Sequence, residues 1–201
     1  YGMTECPMIC MGSPTDTDEQ LANTVGKPVV GLEMRIVKED GSDGGAGEDG
    51  EVRLKGPMVF AGYTSAEATA ESFDEDGWFR TGDVGHLRPD GHLVLTGRLK
   101  DIIIRKGENI AAKEIEDLLH AHPKVADAAV IGLPDPASGE RACAVIVTRG
   151  DTPLTMAEMR DYLVGRSLSM HKVPEQLEFV DVLPRNPTGK ILKKDLRATY
   201  R

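Results

Sequence analysis

Cysteine is scarce in this chain. Cys6, Cys10 and Cys143 make an odd three with no CxxC pair, which argues against a disulfide framework and a thiolate zinc cage. Free thiols make a reducing cytoplasm the expected setting. The five histidines (86, 92, 120, 122 and 171) lack metal-ligand spacing as well. Aromatic residues are only 4% of the total, so the core must rest on Val, Ile, Leu, Met and Ala. Cations are outnumbered, 24 Lys plus Arg against 33 Asp plus Glu, for a net charge of −9. Nucleic acid is thereby excluded as a general partner, because phosphate affinity needs a surplus of cations. No apolar run approaches the roughly 20 residues that span a bilayer, so no transmembrane segment is expected. No leader of charged, apolar and small residues opens the chain, and secretion gains no support. The first residue is Tyr1 rather than Met; the expectation is a piece of a longer protein.

What is present divides near Gly97 to Asp101. Before it, Asp-Gly pairs recur at Asp40-Gly41, Asp49-Gly50, Asp76-Gly77 and Asp90-Gly91, each able to take the positive φ of a tight turn. Short apolar runs lie between them: Met34 to Val37, Glu51 to Leu54, and His92 to Leu95. Such a pattern predicts a small antiparallel sheet or barrel. Thr64, with Glu67 three residues on, reads as a capping box before a helix ending near Phe73. The segment from Asp40 to Asp49 is an acidic, Gly-rich surface loop.

After the boundary, Ala111 to Ala121 has Ile115, Leu118 and Leu119 at helical spacing and stops before Pro123. Val125 to Leu133 and Arg141 to Thr148 predict buried strands. Thr155 to Leu168 predicts a second helix, with Thr155 and Glu158 as capping box and Met156, Met159 and Leu163 on one face. Gln176 to Val182 is the last strand. The fold class is therefore α+β. Residues 1-97 form a small antiparallel β-barrel-like portion, 98-101 a hinge, and 102-201 a compact α+β lid.

Four polar clusters could carry chemistry. Thr4-Glu5 pairs a hydroxyl with a carboxylate, suited to a phosphate oxygen and a hard divalent cation. Thr81-Gly82-Asp83 offers a carboxylate to a ribose diol. Gly97-Arg98-Leu99-Lys100-Asp101 is a charged knot at the boundary. Pro184-Arg185-Asn186-Pro187-Thr188-Gly189-Lys190 is a turn-rich segment delivering one lysine. The last is no P-loop, since Pro184 stands at the first Gly position and Ile191 replaces the Ser/Thr that holds magnesium.

Taken in order, these segments resemble the adenylate-forming superfamily of acyl-CoA synthetases, peptide-synthetase adenylation domains and beetle luciferases. Tyr1 to Glu5 is similar to its YGxTE motif, and Gly50 to Gly56 running on to Gly62-Tyr63 resembles the GExxxxG…GY segment. Phe79 to Val84 (FRTGDV), Gly97 to Glu116 (GRLKDIIIRKGENIAAKEIE) and Pro184 to Lys193 (PRNPTGKILK) resemble the remaining three motifs. The resemblance covers essentially the whole chain. Gly107-Glu108-Asn109 and the PRNPTGKI ending are most similar to the acyl-CoA synthetase (fatty-acid–CoA ligase) branch.

That resemblance implies a ligase using ATP, Mg2+ and CoA on a small-molecule carboxylic acid. The product would form through an acyl-adenylate, with domain rotation between the half-reactions. It implies that Tyr1 stacks on adenine, Thr4 contacts phosphate and Glu5 binds magnesium. Asp83 and Arg98 would hold the ribose hydroxyls, Lys100 the hinge position, and Gly107 the pantetheine path. Lys190 would reach the acyl carboxylate and α-phosphate, and would be a target for a lysine acetyltransferase, which removes the charge. An N-terminal domain with the phosphate loop and acyl pocket would complete the enzyme, this portion by itself being inactive. Two alternatives stand beside this reading: an adenylation domain that loads a carrier protein, and an isolated non-catalytic binding module.

Overall fold

Residues 1–201 are described by a computed structural model, and they fall into two compact units, Tyr1–Leu99 and Lys100–Arg201. In the first unit a two-stranded ribbon, β1 (Cys10–Met11) with β2 (Lys27–Pro28), flanks helix α1 (Asp18–Asn23). Strands β3 (Glu33–Val37), β4 (Gly50–Lys55), β5 (Phe79–Leu87) and β6 (Leu93–Arg98) form an antiparallel meander in chain order. Helix α2 (Ala66–Ser72) interrupts it between β4 and β5. Cys6, Ile9, Ile36, Val52, Leu54, Phe79 and Leu93 build the core beneath this sheet. The sheet is open and does not close into the barrel-like form expected, because four strands are too few to wrap round a filled interior. The cap of α2 is Ser65, not Thr64: Ser65 Oγ accepts from Ala68 N at 3.2 Å.

The other polar side of this sheet is tied by charge. Arg53 on β4 donates through Nε to Glu51 Oε2 at 2.8 Å and through Nη1 to Asp74 Oδ2 at 2.9 Å. The three side chains are 17%, 8% and 12% exposed.

A single 3-10 turn, Leu99–Asp101, leads into the second unit. There β7 (Ile102–Arg105) and β8 (Glu108–Ala111) form a hairpin, followed by helix α3 (Ala112–His120). Strands β9 (Val125–Asp135) and β10 (Gly139–Thr148) are an antiparallel pair. Helix α4 (Met156–Gly165) returns the chain so that β11 (Gln176–Phe179) lies parallel to β10. Helix α5 (Lys193–Thr199) closes the fold. Side chains of β9 and β10 alternate between two cores. Ala128, Val130, Ala144 and Ile146 pack with Ile115, Leu119, Met159 and Leu163; Ala129, Ile131, Cys143 and Val145 pack with Leu183 and Leu196. Burial on both faces explains why these strands read as unbroken apolar runs.

The outer edge of β9 has side-chain partners in place of another strand. Val130 N donates to Glu116 Oε1 at 2.7 Å and Ala128 N to Asp127 Oδ1 at 3.0 Å. Helix α4 stops at Gly165 rather than Leu168, and Met156 is 38% exposed instead of sharing the buried face of Met159 and Leu163. Its capping box is present: Glu158 N donates to Thr155 Oγ1 at 3.2 Å, and Thr155 N to Glu158 Oε2 at 2.9 Å. Thr155→Ala is expected to cost about 0.5–2 kcal/mol in urea unfolding; an unchanged midpoint and slope would show the cap to be idle. No helix is long and apolar enough to cross a membrane.

Candidate functional site

Three of the expected residues meet in the first unit. Asp83 on β5 and Arg98 on β6 are register partners, so Arg98 Nε reaches Asp83 Oδ1 at 2.8 Å. The other carboxylate oxygen accepts from the Tyr1 hydroxyl at 2.5 Å. Asp83 is only 4% exposed, and Thr81 secures its backbone, with Asp83 N donating to Thr81 Oγ1 at 3.0 Å and that hydroxyl donating to Val52 O at 2.7 Å. Burial, and then the hydrogen bond to Asp83, drive the Tyr1 phenol far above its ordinary pKa, so it stays a neutral donor. A buried carboxylate gripped by a guanidinium and a phenol is a fixed acceptor. It retains lone pairs for further donors such as a diol.

Glu5 lies on the same opening segment. Its Oε1 accepts from the Tyr63 hydroxyl at 2.6 Å, and its carbonyl from Phe60 N at 2.8 Å. The bond to Glu5, more than burial, raises the Tyr63 phenol. Tyr63 in turn stands edge-on to Phe60 with ring centroids 4.7 Å apart. Glu5 is half-buried and the neighbouring Thr4 exposed. This donor set is a carboxylate and a hydroxyl, with no cluster of three or more His, Cys, Asp or Glu side chains able to cage a metal. Oxygen donors so few fit a Mg2+ that keeps waters and nucleotide phosphates as its other ligands.

In the second unit the expected residues occupy separate turns. Lys190 is exposed on a narrow loop closed by the Arg185–Ile191 bridge. Asn186 organises this loop: its Oδ1 accepts from Lys190 N at 2.8 Å, Thr188 Oγ1 at 2.7 Å and Thr188 N at 3.1 Å. Gly189 has φ +85°, a conformation that costs an L side chain. Arg185 braces the loop from below, donating to Gly189 O and to Asp127 Oδ2, both at 2.5 Å. Gly107 (φ +80°) follows Lys106 (φ 52°) at the tip of the β7–β8 hairpin, the two left-handed residues a type I′ turn requires. Lys100 is exposed in the 3-10 turn.

Sequence reasoning missed Tyr63 as the partner of Glu5, although Gly62-Tyr63 was visible as a pair. It missed Asn186 as well, whose place before Pro187 is an ordinary signal of a side chain that organises a turn.

Residues 1–64 match the family described as AMP-binding enzyme, and residues 114–190 the AMP-binding enzyme C-terminal domain. Among curated relatives, the salicyl-AMP ligase / salicyl-S-ArCP synthetase of Mycobacterium tuberculosis is 45% identical over 89% of this chain and 32% of its own. The 2,3-dihydroxybenzoate-AMP ligase of Bacillus subtilis is 44% identical over 90% of this chain and 34% of its own. In structure, o-succinylbenzoate CoA synthetase of B. subtilis, solved with its acyl-adenylate intermediate, superposes with a TM-score of 0.87. It is 38% identical, over 98% of this chain and 40% of that one. The chain thus belongs to the adenylate-forming AMP-binding enzymes, and it carries their C-terminal domain. It spans about a third of the length of the curated relatives it matches.

Proposed function

We propose that this chain is the C-terminal portion of a longer ligase that activates an aromatic carboxylic acid with ATP and passes the acyl group to a carrier-protein thiol. The observation that carries the nucleotide part is the Tyr1–Asp83–Arg98 cluster, in which a buried carboxylate is held ready for a ribose diol. Tyr1 would offer its ring to adenine, and Thr4 its hydroxyl to phosphate. Glu5 would hold Mg2+, which supplies charge neutralisation on the phosphates when bound. In the first half-reaction the substrate carboxylate attacks the α-phosphate, releasing pyrophosphate. In the second, a thiol displaces AMP to give the thioester. Lys190, presented on its braced loop, stabilises the negative charge that accumulates in the first step. Gly107, at an exposed hairpin tip, borders the path of the pantetheine arm. Lys100 is the hinge about which the second unit exchanges the two roles.

The aromatic substrate and the carrier acceptor are supported by the two aryl-AMP ligases, one of which is named for its S-ArCP product. They outrank the acyl-CoA synthetase branch expected from Gly107-Glu108-Asn109. Coenzyme A as acceptor is the second reading, favoured by the likeness to o-succinylbenzoate CoA synthetase. Incubating the full-length ligase with ATP and salicylate decides between them. AMP release that depends on a carrier protein is the expected result; release driven by CoA alone would overturn the acceptor, and no adenylation of aryl acids would overturn the substrate class. Asp83→Asn is expected to lower kcat/KM for ATP about 10- to 100-fold, the worth of a charged hydrogen bond. An unaltered ATP dependence would remove Asp83 from the nucleotide site.

A further inference from the structure

Helix α5 begins three residues beyond Lys190 and turns two cations toward the start of the second unit. Lys193 Nζ lies 2.8 Å from Glu116 Oε1 and 3.8 Å from Asp101 Oδ2. Arg197 Nη2 lies 3.3 Å from Asp101 Oδ1 and donates to the Lys100 carbonyl at 3.3 Å. The Lys193 and Glu116 side chains are 14% and 15% exposed. Two cations therefore face two carboxylates in a largely covered cluster, a balance without which burying those charges would be costly. The helix bearing them is anchored by Leu196 in the core beneath β9 and β10. Its first turn is joined to the Lys190 loop, since Leu192 N donates to Pro184 O at 2.8 Å.

We infer that Lys193 and Arg197 are positioning residues that fasten the Lys100 carbonyl and Asp101 to helix α5, so that the Lys190 loop and the far side of the hinge move as one body. The inference rests on the reading of Lys100 as a hinge. Rotation about the φ or ψ of Lys100 carries its carbonyl along and leaves every bond of the cluster intact. Rotation about the φ of Asp101 breaks the Arg197 bond to the Lys100 carbonyl, and rotation about its ψ breaks both Arg197 contacts and draws Asp101 from Lys193. The cluster thus confines the swivel to the N-terminal side of that carbonyl, and the lysine loop arrives in a fixed relation to the axis.

The test uses the full-length ligase with Arg197→Gln and, separately, Lys193→Met. Limited trypsin digestion, with cut sites read by mass spectrometry, reports how often the Lys100–Asp101 bond opens. Both variants are expected to be cut there about five- to tenfold faster, the remaining Lys and Arg sites being cut as in the parent and the melting temperature falling only modestly. The ratio of the adenylation rate to the rate of thioester formation from supplied acyl-adenylate is expected to shift about threefold or more. Parental cleavage at Lys100–Asp101 overturns the inference. So does a rise at all sites with a lowered melting temperature, which marks a general structural role. Lys100→Pro, which fixes φ at the swivel, separates this inference from the reading beneath it. If it leaves both half-reactions unchanged, the hinge reading fails; if it traps one half-reaction while Arg197→Gln and Lys193→Met leave the ratio unmoved, the hinge stands and the positioning role fails.

Discussion

Replacing Lys190 with alanine in the full-length ligase is expected to slow acyl-adenylate formation about 10²–10³-fold, a loss of about 2.7–4 kcal/mol of transition-state stabilisation. Thioester formation from supplied acyl-adenylate is expected to be spared. The reasoning is electrostatic: attack on the α-phosphate spreads negative charge over oxygens that a single positioned ammonium can meet, whereas displacement of AMP by a thiol builds its charge elsewhere. Position matters as much as charge. The loop around Lys190 is fixed by three hydrogen bonds to Asn186 Oδ1 and braced by Arg185, so little reorganisation is left for the moment of reaction. Separate measurement of pyrophosphate exchange and thioester formation checks it. A similar loss in both half-reactions would take Lys190 out of the role proposed for it.

The second large effect concerns stability. Arg53→Met is expected to cost about 3–5 kcal/mol in urea unfolding at neutral pH. It leaves Glu51 and Asp74, each roughly nine-tenths covered, without the cation between them. The loss should also depend on pH. Burial by itself raises the Asp74 carboxyl, but hydrogen bonds from Trp78 N and Arg53, and the Arg53 charge, outweigh it and hold the group below the usual carboxylate range. A depressed carboxylate contributes stability above its unfolded pKa of about 3.9, and that contribution fades as pH falls through the folded value. In the variant the Arg53 bond and charge are gone while Trp78 N still donates to Asp74, so less of that contribution is left to lose. The gap between parent and variant should therefore hold from pH 7 to about 4 and narrow below it, as pH falls through the folded value. A gap of constant size would mean that lost packing, not charge, accounts for it.

Much of this fold is written locally. Thr155 with Glu158 announces α4, and the unbroken apolar runs of Val125 to Leu133 and Arg141 to Thr148 announce buried strands. Other parts depend on partners distant in the chain. Strand β5 contains Thr81, Gly82, Asp83 and Gly85, a composition that reads as a loop until β4 and β6 pair with it. The β7–β8 hairpin turns on Lys106, which gives none of the Asn-Gly or Asp-Gly signal that marks such turns. Thr64 and Ser65 are equivalent cap formers by residue type, and only the path of the chain selects Ser65. At the site, motif order named Tyr1, Asp83 and Arg98, but a hydrogen bond between residues 82 positions apart is a tertiary fact. The thiol acceptor is legible in none of these segments, since carrier proteins and coenzyme A present the same arm.

The covered margin of β9 bears on how this chain behaves in company. A strand margin with unspent N–H groups is a template on which another molecule can build, the first step of ordered aggregation. Here Glu116 and Asp127 spend those donors within the molecule. The Glu116 oxygen that accepts from Val130 N also faces the Lys193 ammonium, so the charge cluster beside the proposed hinge doubles as a guard on the sheet. Loosening one loosens the other. A variant that loosens this cluster through Glu116 would also offer neighbouring molecules a strand to extend, and its crowded solutions would cloud.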